Sequence, residues 1–278
     1  ASTESEQLLG MILLDSAIKQ GEYCFDNLRT EEGFFIEKSS KIQSDEKDSM
    51  FGELFYEDEE TKSNDYNWEN QVYMLWAYYE LQKLLGDKNF ERYYDQEKAE
   101  SFKEKALNII HNIISNEEAI INLETSKLSS IFSPLVYVLK DFDSNANYKY
   151  FILSISDELY SREFDTGYIY SDKNKSKAAS LATHFKTIEA LIDAYISTEF
   201  DCFLYLSERI FKNLNWFWDS DLCLFKLDND KSIKYTTKTI SYIIKSLTKL
   251  LNTTKSESIK RKIEKQLNEF FESSIIKS

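Results

Sequence analysis

The chain has 278 residues, 42% of them hydrophobic and 15% aromatic, which is enough apolar material for a substantial core and excludes a disordered polymer. Its net charge of -14 repels phosphate backbones and anionic lipids, which argues against nucleic acid or a membrane surface as a partner. Six glycines and one proline leave few positions for tight turns, which excludes a sandwich or barrel of many short strands and favours an all-α fold.

The location of the protein follows from its cysteines and its apolar runs. No apolar run approaches the ~20 residues that a membrane-spanning helix needs, so we expect no membrane span. Three cysteines do not make a disulfide framework. A Cys24–Cys223 disulfide is the alternative to free thiols, and free thiols favour a cytoplasmic location. The chain starts with Ala1 instead of methionine. If an upstream segment was removed, a secreted or surface-anchored location is the alternative.

The first predicted elements are a helix over residues 4–20 and a long irregular segment over residues 21–64. Apolar residues recur at helical spacing in the first range. The second range contains the aromatic runs Gly33-Phe-Phe-Ile and Gly52-Glu-Leu-Phe-Tyr. Because a structureless loop of this length is unusual, we expect short strands there and a functional use.

The sequence from Asp65 to Asp87 predicts a buried inner helix, the clearest of four in the chain. Its sequence is DYNWENQVYMLWAYYELQKLLGD, a polar and aromatic start followed by residues that are apolar almost all round. Gly86 can take the left-handed conformation that closes a helix. A charged helix with one apolar stripe follows over residues 90–115. The short link predicts an antiparallel pair of one inner and one outer helix.

The same pair is predicted three more times. Inner helices are expected at 128–142, where Pro134 either kinks or restarts the helix, at 177–198 and at 236–251, with outer helices at 147–162, 202–218 and 257–275. The runs Gly33-Phe-Phe-Ile, Gly167-Tyr-Ile-Tyr and Leu222-Cys-Leu-Phe each lie between an outer helix and the next inner helix. A period of about 45 to 60 residues indicates helical hairpins that close into a ring or stack into a solenoid, here as a single domain over residues 1–278.

Two segments favour the ring. They are Gln71-Val-Tyr-Met-Leu-Trp-Ala-Tyr-Tyr-Glu-Leu-Gln-Lys-Leu-Leu-Gly-Asp-Lys-Asn-Phe and Ala190-Leu-Ile-Asp-Ala-Tyr-Ile-Ser-Thr-Glu-Phe-Asp-Cys-Phe-Leu. Both resemble the hairpins of the α/α toroid (six-hairpin) superfamily, found in N-acylglucosamine epimerase-like proteins and in the six-hairpin domain of thioredoxin-domain proteins. The resemblance implies an all-α toroid, which is shortened or incomplete here, with short β segments between the hairpins. Helical solenoids and the toroids of prenyl-transferring enzymes are the competing assignments.

The resemblance also implies a site, because in such toroids the N-terminal ends of the inner helices line one mouth of the ring. Aromatic rings beside carboxylates and amides suit a sugar ring, which has apolar C–H faces and polar hydroxyls. The expected substrate-binding residues are Asn67, Trp68, Asn70, Tyr73 and Tyr235. Trp68 could equally pack in the core of the ring.

Three residues are candidates for acid–base chemistry. Glu69 and Asp65 could act as the acid and base of a glycoside-cleaving pair, or they could cap the helix and complement its dipole. His184 lies one turn into a predicted inner helix, as a histidine does in the epimerases that the chain resembles, although a histidine hydrogen-bonded in a helical core has the same pattern. His111, on an outer helix, is interpreted as structural, so the two histidines of a sugar isomerase are not both matched.

No cofactor or metal is expected, because the sequence contains no phosphate-binding glycine loop, dinucleotide fingerprint or zinc motif. We therefore expect a carbohydrate-binding or carbohydrate-processing protein with a sugar-like ligand in a central cleft. If it is an enzyme, it is a glycoside hydrolase or a sugar isomerase. The alternative is a non-catalytic helical scaffold that holds a protein partner through its loops.

Overall fold

A computed structural model describes residues 4–36, 67–142, 146–163, 168–226 and 235–272. These residues are mostly helical, with one two-stranded antiparallel sheet, which confirms the all-α class. Over these ranges no helix is both long enough and apolar enough to cross a membrane.

The chain divides into two compact units. Unit 1 covers Ala1–Asn112 and unit 2 covers Ile113–Ser278. The expectation of a single domain over the whole chain stays a prediction.

Unit 1 contains α1 (Glu4–Asn27) and α2 (Trp68–Gly86), and α3 (Gln96–Ser115) begins in it. Tyr78 lies at its centre: its ring stacks on Phe102 at 5.7 Å between centroids, and its hydroxyl donates to the carbonyl of Gly21 at 2.8 Å. A Cβ on Gly21 would lie only 3.2 Å from the Tyr78 ring, so glycine allows α1 to approach α2 closely. The core of unit 1 therefore forms around an aromatic residue of α2.

One side of α2 is more exposed than the sequence pattern predicts. Tyr73 is 46% exposed and Trp76 is 42% exposed, whereas Val72 and Leu75 are fully buried. The indole nitrogen of Trp76 donates to Glu80 at 3.0 Å. Because tyrosine and tryptophan carry a polar group on an apolar ring, they tolerate this partial exposure.

Unit 2 consists of short helical pairs. Its helices are α4 (Glu117–Ile121), α5 (Thr125–Leu139), α6 (Ala146–Ser161), α7 (Leu181–Thr198), α8 (Asp201–Leu214), α9 (Thr237–Thr253) and α10 (Glu257–Glu272). The short helix α4 lies between the helices predicted at 90–115 and 128–142. Pro134 lies buried inside α5 without ending it, so the helix continues past the proline.

The helices α5, α7 and α9 pack side by side and run parallel. From α5 to α7, Ser129 contacts Thr187 and Ser133 contacts Asp193, so both partners advance together along the chain. The contacts between α7 and α9 advance in the same way. Each of these helices also packs against the helix that follows it, α6, α8 or α10. The predicted inner helices therefore correspond to α5, α7 and α9, which are parallel neighbours. The predicted outer helices correspond to α6, α8 and α10, which connect them.

Antiparallel backbone pairs occur at three places between helices, at the positions of the aromatic runs, and each place is called a hairpin here. Their paired residues are Arg29 with Phe35, Glu163 with Ile169, and Trp218 with Phe225, the last pair within strands β1 (Trp218–Asp219) and β2 (Leu224–Phe225). In each hairpin the second partner is a buried apolar residue. Of the short β segments expected between the helical pairs, the third position therefore has two strands, and the other two positions have single antiparallel bridges.

Candidate functional site

The predicted site begins at the start of α2, where Asn67 is the N-cap residue. Its side-chain oxygen accepts from the backbone N–H groups of Glu69 at 3.0 Å and Asn70 at 3.4 Å. Asp65, predicted as a helix cap or a catalytic carboxylate, lies outside the described residues. The cap geometry leaves the Glu69 carboxylate in the first helical turn, where it complements the dipole of α2.

The aromatic residues expected to bind a sugar have different surroundings. Trp68 is 8% exposed and meets the ring of Phe34 edge to face at 5.6 Å, so its indole packs in the core of unit 1. Tyr73 lies on the exposed side of α2, and Asn70 is half-buried. Of these residues, Tyr73 presents the larger aromatic surface to solvent.

A glutamine that the sequence analysis did not select connects the first hairpin to α2. Gln71 is buried, donates from Nε2 to the carbonyl of Phe35 at 2.8 Å, and accepts from the Phe35 N–H at 2.8 Å. The sequence did contain a signal for Gln71, which is an amide one turn into an apolar helix. A buried amide needs hydrogen-bond partners, so such a residue is expected to make specific contacts.

His184 makes the equivalent connection at the start of α7. It also lies four residues after an N-cap, here Ser180. The Ile169 N–H donates to Nε2 at 2.8 Å, so Nδ1 carries the proton and donates to the Ser180 carbonyl at 2.8 Å. Burial lowers the pKa of His184 to about 4, against a smaller opposing effect of the Ser180 hydrogen bond. One ring nitrogen of this neutral histidine therefore holds the second hairpin, and the other is bound to the N-cap residue of its own helix.

Tyr235 holds the third hairpin. It directly precedes Thr236, the N-cap of α9, and its hydroxyl donates to the carbonyl of Phe225. Burial raises the pKa of Tyr235 above the ordinary range, against a smaller opposing effect of that hydrogen bond. Gln71, His184 and Tyr235 are named here the tether residues, because each joins a helix start to the backbone of the preceding hairpin.

The predicted site residues are therefore divided between the two units. Unit 1 contains Asn67, Trp68, Glu69, Asn70 and Tyr73. Unit 2 contains His184 and Tyr235, at the starts of two neighbouring helices. Their described contacts are those of positioning residues, and their proposed catalytic or substrate-binding roles stay predictions.

A second group of polar residues lies across the three parallel helices of unit 2. Asp193 accepts from the hydroxyl of Ser133 at 2.9 Å and from Nζ of Lys249 at 2.6 and 2.8 Å. Glu189, one turn earlier on α7, contacts Lys249 at 3.0 Å and Lys245 at 2.7 Å. These contacts form one continuous network from α5 through α7 to α9.

The network belongs to a larger surface with a regular pattern, named here the polar face. Each of the three helices contributes residues at positions i, i+3 and i+7, a spacing that places them on one side of a helix. The nine residues are Ser130, Ser133 and Tyr137 of α5, Lys186, Glu189 and Asp193 of α7, and Tyr242, Lys245 and Lys249 of α9.

Lys245 and Lys249 form close ion pairs with the two carboxylates of α7. Burial alone would lower the pKa of Lys249, but hydrogen bonds to Asp193 and Glu189 and their negative charges raise it above its ordinary value. Lys249 is therefore protonated at neutral pH and acts as a cation, not as a general base. The face presents hydroxyls, carboxylates, ammonium groups and two tyrosine rings, which suits binding by hydrogen bonds.

The sequence contained a signal for the polar face that we did not use. Glu189 and Asp193 are charged residues within a helix interpreted as apolar, and buried charges require partners. The partners were not predictable from local spacing, because Ser133 and Lys249 are 60 and 56 residues away from Asp193 in the chain.

Unit 1 contains an apolar groove of about 630 Å³ between α1 and α2. Its walls are mainly aliphatic, with few polar groups. The lining residues are Gly10, Leu13, Leu14, Ala17, Gln20, Gly21 and Cys24 of α1, and Met74, Ala77, Tyr78, Glu80, Leu81 and Leu84 of α2. A hydrophobic partner suits this groove better than a sugar.

Within the described ranges, no group of three or more histidine, cysteine, aspartate or glutamate side chains could hold a metal ion. No protein-family model matches the chain, and a search of curated proteins finds no match.

Proposed function

We propose that the protein binds a sugar-like, polyhydroxylated small molecule on the polar face of unit 2, as part of a complete or shortened α/α toroid. The polar face is the observation that carries this proposal. The parallel helices α5, α7 and α9 support it, because parallel inner helices line the central cavity of such a ring. The resemblance of the Gln71 and Ala190 segments to toroid hairpins supports the same assignment.

Binding would use the groups already arranged across the three helices. Carboxylates of Glu189 and Asp193 accept hydrogen bonds from ligand hydroxyls, and the ammonium group of Lys245 donates to ligand oxygens. Tyr137 and Tyr242 flank the network one turn away and offer rings to the C–H face of a sugar. The proposal concerns binding, and acid–base catalysis by Glu69 and Asp65 stays a separate prediction.

We expect Asp193→Asn to weaken sugar binding roughly tenfold or more, because it removes a charge-assisted acceptor from the centre of the face. Calorimetric titration with the best ligand from a thermal-shift panel of mono- and oligosaccharides measures the effect. Asp157→Asn on the exposed side of α6 is the matched control and should bind as the unaltered protein does. No stabilisation by any saccharide in the panel would refute the proposal.

A second candidate function is the binding of a protein helix in the apolar groove of unit 1. On α1, which forms one wall of the groove, four apolar side chains are each more than half exposed: Leu8, Leu9, Ile12 and Leu13. Exposed apolar patches of this kind mark interaction surfaces. Glu80 lines the groove, and its carboxylate favours a basic, amphipathic partner helix.

The groove can be tested with a leucine- and lysine-based amphipathic peptide of about 20 residues. We expect Leu13→Glu to weaken its binding at least about tenfold in fluorescence anisotropy, because a carboxylate would be buried against apolar side chains. Leu222→Glu, at an exposed leucine of unit 2, is the control. Equal peptide affinity for both variants and the unaltered protein would count against a protein-binding groove.

A further inference from the structure

The loop before α7 is positively charged, although the protein as a whole is strongly acidic. It comprises residues 171–177, with the sequence SDKNKSK, and is named here the basic loop. Lys173, Lys175 and Lys177 are exposed, and Asp172 is the one carboxylate in this sequence. The basic loop therefore has a formal charge of +2, from three lysines and one aspartate, whereas the whole chain has a net charge of -14.

A fourth lysine lies beside the basic loop at the start of α5. The Thr125 N–H donates to the Ser171 carbonyl at 2.9 Å, which joins the first turn of α5 to the loop. Lys127 belongs to that turn and is exposed, and Glu124 directly precedes the helix. Among the described residues, none forms an ion pair with any of these four lysines. Four lysines against Glu124 and Asp172 leave the two segments with an excess of positive charge.

Hydrogen bonds within the basic loop hold its lysines on a fixed backbone. Asp172 accepts from the hydroxyl of Ser171 at 3.0 Å, and from both the hydroxyl and the N–H of Ser176, the latter at 3.3 Å. The Ser171 N–H donates to the Lys177 carbonyl at 2.9 Å and closes the loop. Because the backbone is already ordered, a partner that binds the loop loses less affinity to ordering it.

Lys175 has a backbone conformation that favours glycine. Its φ angle is 56°, in the left-handed region that residues with a Cβ rarely adopt. Its ammonium group lies 5.9 Å from the centre of the Tyr170 ring. Strain of this kind persists where the side chain has a use, so a lysine at this position indicates a role for its charge.

We propose that the basic loop and the start of α5 bind an acidic segment of a partner protein through their four lysines. This interaction goes beyond sugar binding on the polar face and does not depend on it. Charge complementarity selects the partner, because ammonium groups and carboxylates form strong, charge-assisted hydrogen bonds.

The net charge of the chain favours a short acidic peptide over other anionic partners. Charges act over only about 8 Å at physiological ionic strength, so a short peptide on the loop meets mainly the four lysines. A nucleic acid extends further, and its phosphates would also meet the acidic remainder of the protein. A second copy of this chain has the same net charge of -14 and would be repelled.

The experiment measures binding to the full chain by fluorescence anisotropy with three labelled probes: a peptide that alternates glutamate and serine, the same peptide with glutamine in place of glutamate, and a thymine oligonucleotide with the charge of the first peptide. We expect the acidic peptide to bind at least about tenfold more tightly than the glutamine peptide, with an affinity that falls as salt is added. Equal affinity for the two peptides, or binding of none of the probes, would overturn the proposal. An oligonucleotide that binds as tightly as the acidic peptide would overturn it in favour of nucleic acid.

A double variant, Lys173→Gln with Lys177→Gln, locates the binding site. We expect it to lose about tenfold in affinity for the acidic peptide, because two of the four ammonium groups are removed. Lys262→Gln with Lys265→Gln, at exposed lysines of α10, changes the net charge equally and should lose less than about twofold. Equal losses in both double variants would show an effect of net charge alone and contradict a site at the basic loop.

Lys175→Gly separates the charge of Lys175 from its backbone conformation. Glycine adopts a φ of 56° without strain, so we expect a Tm close to that of the unaltered protein, while affinity for the acidic peptide falls at least about threefold. Thermal unfolding and anisotropy measure the two effects. Unchanged affinity in Lys175→Gly would contradict the role of Lys175 in binding.

Discussion

Replacing Arg162 with methionine is expected to lower the free energy of unfolding of unit 2 by about 3–5 kcal/mol. Arg162 is fully buried. Its guanidinium donates to the Glu158 carboxylate at 2.7 Å, to the Leu123 carbonyl at 2.7 Å and to the Ile121 carbonyl at 2.6 Å. Methionine fills part of the space but donates nothing, so two carbonyls and a carboxylate would lose this donor in a dry environment.

The effect should be large because the same guanidinium organises a second layer of hydrogen bonds. It donates to the hydroxyl oxygen of Thr125 at 3.1 Å, and that hydroxyl donates to the carbonyl of Tyr170. The Thr125 N–H donates to the Ser171 carbonyl at 2.9 Å. One side chain thus connects the start of α5, the end of α6 and the second hairpin.

Urea denaturation followed by circular dichroism measures the free energy of unfolding of the Arg162→Met variant. Arg261→Met, at an exposed arginine of α10, is the control and should change the free energy of unfolding by no more than about 0.5 kcal/mol. Arg162→Lys should fall between the two, because lysine keeps the charge but not the planar set of donors. If Arg162→Met matched the control, the buried network would contribute no net stability.

Acidification from pH 7 to pH 4 is expected to cost unit 2 about 3 kcal/mol through His184 alone. Burial lowers the pKa of this histidine to about 4 in the folded protein, whereas an unfolded histidine titrates near 6.5. Between these values the unfolded chain binds a proton that the folded chain does not. The contribution of His184 to the free energy of unfolding is therefore fully present above pH 6.5 and is lost as the pH falls toward 4. The protonated ring could no longer accept from the Ile169 N–H.

His184→Gln should remove this pH dependence and keep the hydrogen bonds to the hairpin, because Gln71 makes the corresponding contacts at the start of α2. Unfolding by urea at several pH values between 4 and 7 measures the slope of stability against pH. His111→Gln, which changes the other histidine of the chain at an exposed position, is the control and should keep the slope. An equal slope in His184→Gln and the unaltered protein would show that His184 is not the group responsible.

The helices of this protein were largely predictable because their signals are local. Apolar residues at helical spacing placed α5, α7, α9 and α10 within a few residues of their observed bounds. The hairpins were predictable in position, since an aromatic run separates each outer helix from the next inner one. The α/α toroid stays a prediction, because closure of a ring depends on how the helical pairs turn relative to one another, and sequence spacing does not report that angle.

The candidate site was less predictable, because most of its contacts join distant parts of the chain. The polar start of α2 was predicted to bind substrate, yet Asn67 forms the helix cap and Trp68 packs in the core. His184 was predicted as an acid–base residue or as a histidine hydrogen-bonded in a helical core, and its partners, Ile169 and Ser180, were not evident from the sequence. The polar face was missed because its pattern becomes visible only when three helices are set side by side.

The tether residues have a consequence for how the chain folds. Gln71, His184 and Tyr235 are separated from their hairpin partners by 36, 15 and 10 residues. Closing loops of this size costs little chain entropy, and contacts between nearby segments favour rapid folding. Each hairpin can therefore dock on the helix that follows it as soon as that helix forms, without waiting for the rest of the molecule. These short separations therefore favour docking of each hairpin on the helix that follows it over contacts between distant parts of the chain.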